Sequence, residues 1–202
     1  MITENEIRSA TAGDTLRIDE GAMLTPLAQD LIRERGIQLE KVRRRSAAKK
    51  KRIALGADHG GFEMKEQIKS LLADLGHDYQ DFGTHSTEAV DYPDYAHLVA
   101  RAVAGRTCDL GIVVDGAGIG SCMAANKVPG VRAAMCYDVA SARNSREHNG
   151  ANVLTLGGKM IPADRMREIV QAWLGTELTE DRHRRRVEKI DAIERDYLKS
   201  KR

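Results

Sequence analysis

From Ile53 onward, short apolar runs alternate with amphipathic stretches, and this alternation constrains the fold more than any other feature of the 202-residue chain. Ile53-Ala54-Leu55-Gly56, Leu110-Gly111-Ile112-Val113-Val114 and Val153-Leu154-Thr155-Leu156 are too short for helices. They are also too continuously apolar to have a wet face, so they predict buried strands of a parallel sheet. Residues 79–82 and 131–135 read as two further strands. Residues 61–75 carry Ile68, Leu71, Leu72 and Leu75 at helical spacing, and 95–104, 121–126, 140–148, 162–174 and 182–199 also read as helices. The pattern predicts an α/β fold, a doubly wound, Rossmann-like parallel five-stranded sheet flanked by helices. In such sheets ligands bind beyond the carboxyl ends of the strands.

The sharpest motif follows the strand at 110–114. Asp115-Gly116-Ala117-Gly118-Ile119-Gly120 leads into Ser121-Cys122-Met123-Ala124-Ala125-Asn126-Lys127, whose small residues suit a tightly packed helix start. Alternate glycines let the backbone turn sharply and bring its N–H groups close to a ligand. A helix start there favours negative charge, whether bound or developing during a reaction. The spacing is neither the GxGxxG of dinucleotide binders nor a P-loop, so a tight turn without a ligand stands as the alternative. Asp58-His59 follows the first strand, where a carboxylate and an imidazole suit sugar hydroxyls. His148-Asn149-Gly150 offers an imidazole able to move a proton near neutrality. Arg182, His183 and Arg186 share a helical face on which two guanidinium forks match phosphate oxygens. Singly, each has an ordinary structural explanation: a satisfied histidine, a solvated basic face.

Net charge is +2 and hydrophobic residues make up 42% of the chain, which excludes a nucleic-acid binder by overall charge and a membrane protein by composition. The first residues have neither the basic nor the apolar region of a secretory signal. Cys108, Cys122 and Cys136 lack CxxC spacing, which argues against a disulfide framework or zinc site and for a reducing, cytoplasmic setting. Residues 1–42 form a small unit, with a helix over 4–10, a strand over 15–18 and a helix over 25–35 capped by Thr25 and ended by Gly36. Residues 43–52 read as a basic linker and 53–202 as the main domain.

Jointly, several motifs resemble one family, ribose-5-phosphate isomerase type B, whose relatives are the galactose-6-phosphate isomerase subunits. They are Gly56-Ala57-Asp58-His59-Gly60-Gly61-Phe62, Asp91-Tyr92-Pro93-Asp94-Tyr95-Ala96, Ala124-Ala125-Asn126-Lys127, Arg146-Glu147-His148-Asn149, Asn152-Val153-Leu154, and Arg182-His183 with Arg186. They occur in family order over residues 52–196. The resemblance implies an aldose–ketose isomerase acting through a cis-enediolate without metal or cofactor. It also implies active sites shared between two subunits of a homodimer or homotetramer. It makes His148 the ring-opening acid/base, with Asp58 and His59 on hydroxyls. Asn149 and the loop residues Gly116, Gly118, Ile119 and Gly120 become substrate and enediolate ligands. Arg182, His183 and Arg186 become the phosphate grip, joined by Lys159 from the partner subunit.

The chain departs from the family where Asp115 replaces a cysteine base, Ser121 a glutamate found in other members, Ala117 a Ser or Thr, and Lys159 an arginine. Asp115 is the expected base; Cys122 is the fallback, its first expected role being that of a buried structural cysteine. These departures keep open an isomerase of galactose 6-phosphate or allose 6-phosphate, or a catalytically weak sugar-phosphate-binding assembly protein. Residues 1–42 resemble short segments on bacterial microcompartment enzymes, which implies recruitment to a shell or cargo partner. Packing against the main domain is the simpler expectation.

Overall fold

A computed structural model describes residues 7, 10–19, 24–42 and 50–199, in two units divided between residues 48 and 49. In the first unit β1 (Thr15–Asp19) pairs in parallel with β2 (Gln38–Val42), and α1 (Pro26–Glu34) connects them. Thr25 Oγ1 accepts from Ala28 N at 3.3 Å, Pro26 lies in the first turn, and Gly36 leaves the helix at φ +64°. Ile7, Ala10, Ala28 and Ile37 are buried, with Leu16, Leu24, Leu31 and Ile32 packed around them. The expected helix over 4–10 lies outside the described residues except for Ile7, which is helical, and Ala10. Strand β2 was not anticipated. Gln38-Leu39-Glu40 does alternate, but the adjoining basic run obscures the pattern.

The second unit contains β3 (Arg52–Ala57), α2 (Phe62–Asp74), β4 (Asp78–Asp81), α3 (Tyr92–Ala104) and β5 (Leu110–Asp115). It continues with α4 (Ile119–Ala125), β6 (Ala133–Met135), α5 (Val139–Glu147), β7 (Val153–Gly157), α6 (Ala163–Leu174) and α7 (Asp181–Lys199). Its five strands are all parallel, in the order β4-β3-β5-β7-β6, as expected for a doubly wound sheet. Alternate residues serve opposite faces. Ile53, Leu55, Ile112, Val114, Leu154 and Leu156 pack with α2 and α6, while Ala54, Val113 and Val153 pack with α3. Three of the boundary differences from expectation have a direct physical reason. Arg52 belongs to β3, its N–H donating to Asp109 Oδ2 at 2.8 Å, so the linker stops short of it. Pro93 is tolerated in the first turn of α3, which lets that helix start at Tyr92. Strand β6 is short because Arg132 N donates to Asn152 Oδ1 at 2.8 Å instead of entering the ladder.

A charged cluster stiffens the sheet edge beside the site. Lys65 is fully buried, with Nζ 2.6 Å from Asp81 Oδ2 and 2.9 Å from Glu66 Oε1, and Lys69 also reaches Asp81 at 2.5 Å. Burial raises the Asp81 carboxyl, but the two lysines outweigh it and hold the group below the ordinary aspartate value. Removing one partner of a buried pair costs about 3–5 kcal/mol, because the other is left buried and uncompensated. Asp81 Oδ1 also takes the Gly83 N–H at 2.9 Å, and Gly83 O accepts from Ala57 N at 2.7 Å. The ion cluster thereby fixes the backbone at the carboxyl end of β3, next to Asp58.

Candidate active site

From β3 the chain runs outward to β4 on one side and β5 on the other, so the crevice between the carboxyl ends of β3 and β5 is the sheet's switch point. Asp58 and Asp115 meet there. Asp58 N donates to Val114 O at 3.1 Å, and its carboxylate accepts from Gly61 N at 2.9 Å. Asp115, buried at 4% exposure, accepts from the backbone amides of Ala117 (2.8 Å), Gly118 and Ser121 (2.8 Å). Its side chain therefore braces the glycine loop from inside. Only glycine fits at 118, where φ is +82° and a Cβ would lie 2.8 Å from the Leu156 carbonyl carbon. Its amide is committed to Asp115, so Gly118 contributes the turn; Gly116, Ile119 and Gly120 are the loop amides left for a substrate oxygen.

Burial, then the negative charge of Asp115, push the Asp58 carboxyl above the ordinary aspartate value, against the pull of the Gly61 N–H. A carboxyl that holds its proton more tightly folded than unfolded makes ionisation costly to the fold. The cost is absent below the reference value of 3.8 and complete once pH has risen past the raised value. Asp58→Asn keeps an acceptor for Gly61 N–H and removes that cost. The expected result is a melting temperature higher by about 2–4 °C at pH 7, with the gain fading toward pH 4, and turnover reduced about a hundredfold or more. Circular-dichroism melts at the two pH values check the first part.

Beside the carboxylates a cavity of about 250 Å³ is lined by His59, Gly60, Glu63, Met64, Thr87, Gly158 and Lys159. His59 Nδ1 lies 3.2 Å from Val90 O. Lys159 follows β7 and reaches this cavity within the same chain, because β7 and β3 both flank β5. The expectation that Lys159 comes from a partner is corrected accordingly. Tyr137 Oη donates to Ala117 O at 2.9 Å, and the Tyr92 ring sits over Gly120. Tyr137, Glu63 and Thr87 were missed. Tyr137 follows β6, so the carboxyl-end rule could have found it; Glu63 and Thr87 carry no local signal.

Two further placements bear on the expected roles. Cys122 Sγ donates to Ala133 O at 3.4 Å, and Asn126 Nδ2 bonds the same carbonyl at 2.9 Å, so the thiol ties α4 to β6 rather than facing the loop. The second concerns His148, Asn149, Arg182, His183 and Arg186, which within one chain do not share the rim with Asp115. Helix α5 runs back along the sheet and ends beside Asn152, whose carbonyl accepts from Gly111 N at the amino end of β5. Strands of five and six residues separate the two ends by about 15–20 Å. At that end His148 stacks on His183, ring centroids 4.1 Å apart and 15° between planes. His183 and Val187 are buried, while Arg182 and Arg186 stand exposed one turn apart. Helix α7 is held to the sheet edge by Arg132 to Asp191 (3.0 Å) and Gly130 N to Glu194 (2.8 Å).

A carboxylate pair at a switch point, an amide-lined loop and a polar cavity with a lysine at its margin suit proton-transfer chemistry on a small polar, anionic molecule. Residues 53–190 match the Ribose/Galactose Isomerase family, and the chain belongs to that family. Ribose-5-phosphate isomerase B of Escherichia coli (strain K12) is 46% identical over 144 residues, spanning 71% of this chain and 97% of that protein. Among solved structures, Clostridium thermocellum ribose-5-phosphate isomerase B superposes with a TM-score of 0.71 at 49% identity, over 72% of this chain and 99% of that one. A Mycoplasma genitalium ribose-5-phosphate isomerase B, solved with bound ribulose-5-phosphate, gives 0.69 at 38% identity, over 71% and 96%.

Proposed function

We propose that the chain interconverts ribose 5-phosphate and ribulose 5-phosphate by acid/base catalysis through a cis-enediolate. The observation that carries this reading is the pairing of Asp58 and Asp115 against the glycine loop, in a chain whose relatives are ribose-5-phosphate isomerases. The loop amides of Gly116, Ile119 and Gly120 stabilise the enediolate oxygens, and His59 and Lys159 bind at the cavity. Asp115 removes the C2 proton after releasing one of its three amide donors. Asp58, which holds a proton more readily, is the second candidate for that role.

The histidine–arginine group reaches a substrate only if a second copy supplies it. We therefore read the enzyme as a dimer, or a tetramer built of two such dimers, in which His148, Asn149, Arg182, His183 and Arg186 of one subunit face the carboxylate pair of the other. Proton NMR of ribose 5-phosphate in D₂O tests the reaction: ribulose 5-phosphate should appear with deuterium at C1, and the remaining ribose 5-phosphate should exchange its C2 proton. No conversion and no exchange would overturn the ribose assignment and favour a longer aldose phosphate.

The first unit lies outside the matched segment, has its own small core and exposes Leu27 on α1. We read residues 1–42 as a docking element for a microcompartment shell or cargo partner. A chain lacking residues 1–50 should isomerise at an unchanged rate yet lose co-sedimentation with shell proteins; retained co-sedimentation would refute recruitment. The three free cysteines accord with a reducing, cytoplasmic setting, and among the described residues no helix is long and apolar enough to cross a membrane.

A further inference from the structure

Asn144 lies one turn before His148 on α5, is exposed, and takes part in a directional chain of hydrogen bonds. Asn149 Nδ2 lies 3.3 Å from the main-chain carbonyl of Asn144, which can only accept, so the orientation of the Asn149 amide is fixed. The same Nδ2 donates to the Asn144 side-chain oxygen at 3.2 Å, which fixes the Asn144 amide in turn. Its NH₂ group then faces His148 Nδ1 at 3.0 Å. An amide nitrogen is a donor only, so Nδ1 must be the bare nitrogen and the neutral ring carries its proton on Nε2. The ring plane is set independently by the stack on His183.

We propose that Asn144 is a positioning residue that fixes His148 in the Nε2–H form, so that the imidazole presents a hydrogen-bond donor to the substrate. This rests on reading His148 as the residue that assists ring opening. An Nε2–H of this kind bonds the furanose ring oxygen, and the hydrogen bond strengthens as the C1–O bond breaks and negative charge gathers on that oxygen. The anomeric hydroxyl releases its proton to water as the C1=O bond forms, and the ring oxygen takes a proton from water. No proton need leave the imidazole. Glu180, just before α7, and Arg182 and Arg186 of α7 surround the stacked pair from the His183 side.

Asn144→Asp tests the idea, because it replaces the donor facing Nδ1 with an acceptor while changing little in size at an exposed position. Long-range ¹H–¹⁵N correlation spectra of the substrate-free, full-length protein at pH 8 read the tautomer directly. The expected result is Nε2–H for His148 in the parent chain and a proton on Nδ1 in Asn144→Asp. The variant should also lose about tenfold in kcat on ribose 5-phosphate with KM nearly unchanged. A parent spectrum showing Nδ1–H, or an Asn144→Asp spectrum identical to the parent's, would overturn the proposal. Because the spectra need no substrate, failure of the parent chain to turn over ribose 5-phosphate would refute the functional reading alone.

Discussion

Replacing Asp115 with asparagine should remove isomerase activity by about a thousandfold or more and destabilise the second unit by about 1–3 kcal/mol. The reason lies in donor counting. Asp115 accepts three backbone N–H groups with two carboxylate oxygens. Asparagine has one acceptor oxygen, and whichever way its amide turns, an NH₂ group meets a backbone N–H in a buried site. Loss of the brace loosens the loop whose remaining amides bind the enediolate, so structure and catalysis fail together. Urea unfolding followed beside activity separates the contributions. Lost activity at parental stability would make Asp115 a base without a bracing role. Lost stability with parental turnover in the folded fraction would transfer proton abstraction to Asp58.

The second large effect is complementation. Asp58→Asn and His148→Gln should each be nearly inactive alone, since each removes a group from every site. When the two are unfolded, mixed in equal amounts and refolded, half of the dimers pair unlike chains, and each mixed dimer holds one intact site. About one quarter of the parental activity should return. Recovery of nothing would mean that both groups act within one chain, which requires a rearrangement of α5 relative to the sheet. The parent carried through the same refolding is the control.

Much of the architecture was legible because local chemistry and global fold agree. Leu110 to Val114 is apolar at every position, which only a strand covered on both faces tolerates, and it lies at the centre of the sheet. Thr25-Pro26 marks a helix start that holds, because a side-chain acceptor and a residue without an N–H both satisfy the same local need. Strand β2 and the membership of Arg52 in β3 were hidden under a run of positive charge. Charge reports solvation, not pairing, and the partners that recruit Arg52, Asp109 and Gln80, lie far along the chain.

The site divides the same way. The sequence by itself identified the residue types of a sugar-phosphate isomerase, the glycine loop and the strand ends that carry Asp58 and Asp115, since these are properties of short segments. Only the tertiary structure decided that Asp115 spends its carboxylate on three amides, that Cys122 turns to Ala133, and that Lys159 joins His59 within one chain. It also decided that His148 stands at the other end of the sheet from Asp115. The direction in which a helix returns along a sheet, and the partners a buried side chain finds, depend on residues distant in sequence. No local pattern encodes them.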